Sequence, residues 1–491
     1  MPRVRVAVAM LLIPLVVLLA FASSRPHLAA QKPRSLSAGA YASDITPRKF
    51  PVSVNGHMTD RQVSEVHDPL RARCLVLDDG KTTVAFVIVD SCMIPRDLCD
   101  RAKELIQKKT GIPARNVLIA ATHTHSAVTL TGAFQSEPVE WYREFVVEQI
   151  VHGVERAWQQ REPAQVAWGV GEDATQVFNR RWFMKPGTIQ PNPFGQVDQV
   201  RMNPGYQHPG LIKPAGPTDP QIGFLSVQAR DGRPIAFLAN YALHYVGGVP
   251  GLSADYFGAF AERIQQLLGA EKVHPPFVGI MSNGASGDIN NINYAGPAPG
   301  KRAPYEQCRL VADSVARKVF AAYQQVAQHH RADVSLAVAE QEIELGVRLP
   351  SEADLARAQQ ILAQARGPVL TTLPEIYARE TVLLARYPPT VRLKLQAIRV
   401  GSMGIGAIPC EVFCEIGLEI KAKSPLKPTC IIELANGYNG YLPTPQQHEW
   451  GGYETWRARS SYLEVRASDK ITATLLELLR EVSQERPSSE Q

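Results

Sequence analysis

Short apolar runs alternate with amphipathic stretches along most of this chain. Leu70–Leu77 and Thr83–Val89 are β-branched and apolar, and Asp78-Asp79-Gly80 sits between them, so the pair reads as a hairpin. Pro95–Thr110 places Leu98, Ala102, Leu105 and Ile106 on one helical face and is stopped by Gly111. Val139–Gln160 repeats that periodicity over a longer helix. Further strands are expected at Ala164–Val170, Pro234–Leu243 and Pro276–Ser282, with helices at Tyr256–Leu268 and Pro304–Gln325. Ser351–Gly367 and Leu373–Tyr387 read as a helical pair forming a peripheral insertion. Arg392–Ile408 and Thr429–Leu434 are again strand-like, and Asp469–Val482 is a closing helix. This interleaving predicts one large α/β domain, with mixed β-sheets flanked by helices and the active site at the strand ends. Phe183–Gly223 and Ala295–Arg302 are dense in Pro, Gly and Asn and are expected to be functional loops or lids.

Composition narrows the class without naming a function. A chain of 491 residues, 45% apolar and 20% charged, has the make-up of an ordinary globular protein. Its 52 basic and 47 acidic residues form no long single-sign run, so nothing points to nucleic acid. Met1-Pro-Arg-Val-Arg5 followed by the apolar run Val6–Ala22 reads as a secretory signal peptide, with Ala20-Phe-Ala22 as its cleavage site. An uncleaved anchor is the alternative, but the run is only ~17 residues and contains Pro14. The expected organisation is a signal peptide over 1–22, a linker over 23–37, a catalytic domain over 38–485 and a disordered tail over 486–491. Such a chain is destined for the periplasm, the cell envelope or the medium. Seven scattered cysteines without a C-x-x-C spacing read as buried thiols, at least one of them unpaired.

Candidate chemistry begins at Thr122-His-Thr-His-Ser126, the polar tip of an apolar strand that includes Val117, Leu118 and Ile119. Side chains alternate along a strand, so His123 and His125 are expected on one side, where two imidazoles suit a divalent metal. The same pair could equally cap a strand by hydrogen bonding. His244 ends another apolar strand and is followed by glycines. Met281–Asn291 is rich in small and amide residues after a third strand. Its glycines allow close approach of a ligand that Asn283, Asp288 and Asn290 could hydrogen bond, unless it is a plain tight turn. It lacks the G-x-S-x-G frame of a serine hydrolase. Glu411 lies just past a strand, and Tyr438, Tyr441 and Tyr453 lie in glycine-rich loops.

Together these features resemble the neutral/alkaline non-lysosomal ceramidase family, zinc amidases that split the amide of N-acylsphingosines. The resemblance rests on Ala42-Ser-Asp-Ile-Thr-Pro47, Asp68-Pro-Leu-Arg-Ala-Arg73 with Asp90, Thr122-His-Thr-His-Ser126 and Asn179-Arg180. It continues through His244, Asn283-Gly-x-x-Gly-Asp288, Pro409-x-Glu411, Asn436-Gly-Tyr-x-Gly-Tyr441 and Tyr453-Glu454. It implies zinc held by His123, His244, Glu411 and Tyr441, with His125 and Tyr453 beside the reacting amide and Arg180 near its carbonyl oxygen. Zinc lowers the pKa of bound water to roughly 7, producing a hydroxide able to attack an amide carbon. His125 could serve as general base and then acid, with Arg180 and Tyr453 as oxyanion donors.

Two departures bear on the substrate. The family usually has a serine after the Gly-Asp turn, proposed to contact the lipid's primary hydroxyl, where this chain has Asn290. The carboxy-terminal immunoglobulin-like domain of characterised ceramidases is also missing from the sequence pattern. The expected activity is an exported zinc-dependent hydrolase cleaving ceramide or a related N-acyl lipid or amine, with contact to a membrane surface left open. An ester or phosphoester substrate on the same scaffold, or a non-catalytic binding protein, are the alternatives.

Overall fold

Both faces of the central sheet are apolar, and this sets the layering. In the computed structural model, which describes residues 1–4, 35–247 and 249–484, the sheet has eight strands. Across it lie Val278–Asn283, Pro234–Tyr241, Gln221–Ala229, Glu162–Glu172, Ser37–Asp44, Arg71–Asp78, Thr83–Val89 and Val117–Ala121, in that order. The two outermost pairings are parallel and the rest antiparallel, so the sheet is mixed. The expected signal peptide and its cleavage site, the linker up to residue 34 and the tail lie outside the described residues.

One face of the central sheet is covered by helices. Val76, Val87 and Ile119 pack against Leu98 and Ile106 of the helix Arg96–Thr110 and against Val146 and Ile150 of Glu140–Gln159. At the other end Phe224, Phe237 and Tyr241 meet the helices Asp255–Leu267 and Glu306–Val326. On the opposite face Leu75, Phe86 and Leu118 meet Ile398, Ile405 and Ile432 of a second sheet. That sheet orders Leu336–Gly346, Thr390–Val400, Met403–Ala407 and Thr429–Ile432. The helix Ala467–Ser483 seals its outer face through Ile471, Leu475 and Leu479. Strands buried on both faces read as continuous apolar runs rather than as alternation, which is why this sequence signals them so strongly.

Two details differ from the sequence expectations. Phe183–Gly223 is more than a loop: it contributes to a small three-stranded sheet of Val200–Met202, Arg181–Met184 and Leu211–Pro214. Strands of three or four residues diluted by Pro and Gly carry too little periodicity to register. The pair Glu352–Ala363 and Leu373–Leu384, each opened by a capping box, is less peripheral than expected. Ile376 and Tyr377 cluster with Trp456 and with Phe134 and Tyr453, and the last two line the cavity described below. All seven cysteines are buried free thiols, as the sequence implies. Among the described residues no helix is long and apolar enough to cross a membrane.

Candidate active site

His123 does not sit on the strand that precedes it. That strand ends at Ala121, and His123 takes a left-handed backbone with φ 74°, its N–H donating to the Ser91 carbonyl at 2.9 Å. Strand alternation therefore does not align the two histidines. The chain turns at His123, and the turn brings His123 Nε2 and His125 Nε2 to 3.2 Å. His244 likewise lies three residues beyond its strand, which ends at Tyr241. The turn after it is held by Asp255, whose carboxylate accepts the N–H groups of Val246 at 3.0 Å and Gly247 at 2.8 Å. Glu411 and Tyr441 are partners in a two-residue parallel pairing, so carboxylate and phenol emerge side by side.

Three acceptor atoms then meet with no donor between them. His123 Nε2 lies 3.0 Å from His244 Nε2 and 3.3 Å from Glu411 Oε2, and the last two are 3.9 Å apart. His123 Nδ1 faces the Cys92 carbonyl at 2.8 Å, and His244 Nδ1 faces the Ser286 carbonyl at 3.1 Å. A carbonyl only accepts, so each Nδ1 carries the hydrogen and each Nε2 presents a lone pair. Glu411 Oε2 is buried with no hydrogen-bond partner, while Oε1 accepts from the Tyr438 hydroxyl at 3.1 Å. Buried lone pairs in contact repel unless a cation lies among them. Two neutral imidazoles and a carboxylate within 4.8 Å of one another fit zinc by number and by type. Burial disfavours a charge on His123, but Cys92 and Glu411 outweigh it and shift its pKa well above the ordinary value. Burial and the charge on His123 push His244 and His125 well below theirs.

A second group of charges fixes Arg180. Its Nη2 donates to the Tyr441 hydroxyl at 3.1 Å and its Nε to Glu454 Oε1 at 2.8 Å, while Arg181 Nη1 donates to Glu454 Oε2 at 2.5 Å. Glu454 is 0% exposed and so is Arg181. Burial disfavours the Arg180 charge, yet Tyr441 and Glu454 outweigh that and keep its pKa well above the ordinary value. Burial acts on Glu454 in the opposite sense to Arg181 and Arg180, and the two guanidiniums prevail, holding its carboxyl below the usual range.

His125 is clamped by two neighbours. Its ring stacks on Tyr245 with centroids 3.6 Å apart, and Gly56, with φ 98°, leaves the space on its other side. A Cβ at position 56 would lie 2.3 Å from the His125 ring, so only glycine fits.

His123, His125, His244, Glu411, Tyr441, Tyr453 and Arg180 all line one cavity of about 240 Å³, whose remaining lining sets the apolar Met58, Met93 and Phe134 beside the polar His57, Asn203 and Ser460. Asn290 lies outside it and lines an adjoining cavity of about 270 Å³ that shares Arg180, Asn203, His244 and Tyr245. Asn283 and Asp288 line neither of the two. Asp288 is fully buried, pushed up to about 6 by burial, and accepts from Cys414 N at 2.8 Å and Asn179 Nδ2 at 2.7 Å. Its carbonyl accepts the Arg180 N–H at 2.9 Å, so it acts on the site through the backbone of Arg180. The Asn283 side chain is buried with neither amide atom partnered. Two larger cavities, about 320 and 550 Å³, lie elsewhere, but neither gathers unpartnered metal-ligating atoms.

Sequence reasoning missed Cys92, Tyr245, Gly56 and Glu433. Glu433 did carry a signal, as a carboxylate embedded in the apolar run Cys430-Ile-Ile-Glu-Leu434. It is fully buried and accepts from Val412 N at 2.6 Å and Ser286 Oγ at 2.7 Å. It thereby braces the residue after Glu411 and the loop whose carbonyl holds His244.

Comparison with known proteins agrees with this architecture. A neutral ceramidase from Pseudomonas aeruginosa is similar at 17% identity with a TM-score of 0.69, over 94% of this chain and 76% of that one. A ceramidase complexed with C2 is similar at 16% identity with a TM-score of 0.67, over 93% of this chain and 77% of that one. At these identities the likeness is one of fold. The description "Neutral/alkaline non-lysosomal ceramidase, N-terminal" matches residues 37–344, more than half of the chain. That segment carries His123, His125, Arg180 and His244, and the fold brings Glu411, Tyr441 and Tyr453 to them from beyond it. The chain belongs to the neutral/alkaline non-lysosomal ceramidase family.

Proposed function

We propose that this protein is an exported zinc-dependent hydrolase that cleaves the amide of an N-acyl lipid or N-acyl amine. The observation that carries the reading is the contact among His123 Nε2, His244 Nε2 and Glu411 Oε2, three buried acceptors without a hydrogen to share. His123, His244 and Glu411 would hold the metal, and Tyr441, beside Glu411 in register, would complete the set. Zinc supplies a Lewis acid and makes water acidic enough to act as a nucleophile near neutral pH.

The remaining work falls to the chain. Arg180, anchored by Glu454, presents a fixed positive charge to the oxygen of the scissile carbonyl, and the Tyr453 hydroxyl lies in the same cavity to donate to it. His125, held against Tyr245 in the same cavity, can accept a proton from the attacking water at Nε2. It returns that proton to the amine nitrogen as the C–N bond breaks, leaving a carboxylic acid and an amine. Met58, Met93 and Phe134 offer the acyl chain an apolar wall. Export rests on the basic start and the apolar run Val6–Ala22, and predicts a mature chain that begins at Ser23.

The test is a matched assay of the purified protein on an N-acyl amine, the corresponding ester and a phosphoester, with and without chelator. Chelator-sensitive release of fatty acid from the amide is the expected result. Turnover of the ester or phosphoester alone would reassign the bond cleaved.

A further inference from the structure

One residue lining the catalytic cavity is held in a conformation that its side chain disfavours. Phe134 takes φ 49°, a left-handed backbone that a bulky residue keeps only where its surroundings impose it. Its carbonyl accepts from Arg459 Nη2 at 2.9 Å and from Arg379 Nη1 as well. Both guanidiniums are themselves anchored, Arg459 on Glu380 at 2.8 and 2.9 Å and Arg379 on Glu137 at 2.7 Å. The next residue is pinned too. Gln135 Nε2 donates to the Met58 and Leu370 carbonyls, both at 2.9 Å, and its Oε1 accepts the Leu370 N–H at 2.8 Å. Arg379 and Glu380 lie on the helix Leu373–Leu384 and Leu370 just before it, so the helical pair supplies much of this clamp.

What the clamp positions is a ring. Phe134 is buried and lines the cavity together with Ala133, Met93 and Met58, which form one apolar cluster with it. In that cluster the ring meets Tyr377, at 6.0 Å between centroids, and Ile376 and Leu370, none of which lines the cavity. A chain that grows along the apolar side as far as Phe134 therefore meets packed core. The cavity holds about 240 Å³, and the metal, the attacking water and the amide each take a share of it.

We infer that Phe134 sets the acyl length this site accepts, and that the substrate carries an acyl group of a few carbons rather than a long fatty chain. The inference rests on the hydrolase reading for which end of the substrate meets this wall, but not for the wall itself. A loosely held ring would give way to each added methylene. One pinned through its backbone by two guanidiniums and a neighbouring amide resists, so a chain that is too long is rejected. The ring also stacks on Tyr453 with centroids 6.5 Å apart, so replacing it alters rates on every substrate. Dependence on chain length is the quantity that isolates its role.

The test separates binding from turnover. Affinities for primary alkylsulfonamides, from methane- to decanesulfonamide, are measured by calorimetry on the zinc-loaded protein, since these compounds resist hydrolysis. Values of kcat/KM are measured on N-acylethanolamines from acetyl to decanoyl. In both series the wild type is expected to gain roughly fourfold per methylene at first, then to lose about tenfold or more once the chain reaches Phe134. In Phe134→Ala the turning point should move to chains longer by about two to four methylenes, into the space of the deleted ring. In Phe134→Trp it should move to shorter ones. Phe134→Leu, a milder cut, carries the same test if Phe134→Ala does not fold. A turning point unmoved in these variants, or a wild type that keeps gaining through decanoyl, overturns the inference while leaving amide hydrolysis intact. A turning point in sulfonamide binding that moves with the variants, with no amide cleaved, upholds the wall and overturns the hydrolase reading instead.

Discussion

Replacing Glu454 with glutamine isolates one electrostatic claim. The carboxylate is 0% exposed and is shared by Arg180, itself 5% exposed, and Arg181, 0% exposed, at 2.8 and 2.5 Å. Glutamine keeps the volume and one acceptor but removes the charge and turns a donor toward a guanidinium. Two cations would remain out of water with no anion between them. Removing one partner of a buried pair costs roughly 3–5 kcal/mol, against the ~0.5 kcal/mol of an exposed pair. Urea unfolding followed by fluorescence reads the difference as a lower midpoint at unchanged m value. The control is Glu419→Gln, which removes the exposed i,i+4 pair with Lys423, at 44% and 61% exposure. Because Arg180 also loses its anchor, kcat on an N-acyl amide should fall by at least ~10-fold, approaching the effect of losing one oxyanion donor. A Glu454→Gln protein as stable as the Glu419→Gln control would refute the view that this carboxylate holds the arginine pair.

Other perturbations address the remaining parts. Gly56→Ala places a methyl 2.3 Å from the His125 ring, so it should lower kcat while zinc content, measured by atomic absorption, stays unchanged. Tyr438→Phe removes the hydrogen bond to Glu411 Oε1 and should weaken zinc affinity by ~10–100-fold in chelator competition. Glu433 is pushed up to about 8, chiefly by burial, from an ordinary 4.5. The folded state therefore keeps a proton that the unfolded chain releases, so stability from this group is full below pH 4.5 and lost as pH rises through 8. Metal-free wild type should accordingly lose stability relative to Glu433→Gln between those values, by up to ~1 kcal/mol per pH unit, as read by urea unfolding at each pH.

The elements were legible wherever burial on both faces left long apolar runs. Thr83–Val89 and Pro234–Tyr241 needed nothing more than periodicity, and the helices Arg96–Thr110 and Glu140–Gln159 announced their boundaries to within a residue. The short strands at Arg181–Met184 and Val200–Met202 were hidden because their order comes from pairing with each other. At the site, residue types in motifs pointed to His123, His244 and Glu411, which the fold brings together, but the strand-tip placement expected for the first two does not hold. Positive φ at His123 is a tertiary outcome, fixed by the hydrogen bond from its N–H to the Ser91 carbonyl, two residues beyond the strand Thr83–Val89, which no local pattern encodes. Asp288 and Asn290 fell in one motif yet do different things, since one is spent on the Cys414 N–H and the Asn179 side-chain amide and the other lines a cavity. Spacing along the chain cannot make that distinction.

Zinc content set against amide hydrolysis is the most direct measure of the whole account. Purified wild-type protein is expected to hold about one zinc per chain and to release fatty acid from an N-acyl amine. His123→Ala and Glu411→Ala should lose both together, and chelation followed by zinc should abolish and then restore turnover. Undiminished hydrolysis by protein stripped of metal, or one firmly held zinc in the His123→Ala protein, would contradict it.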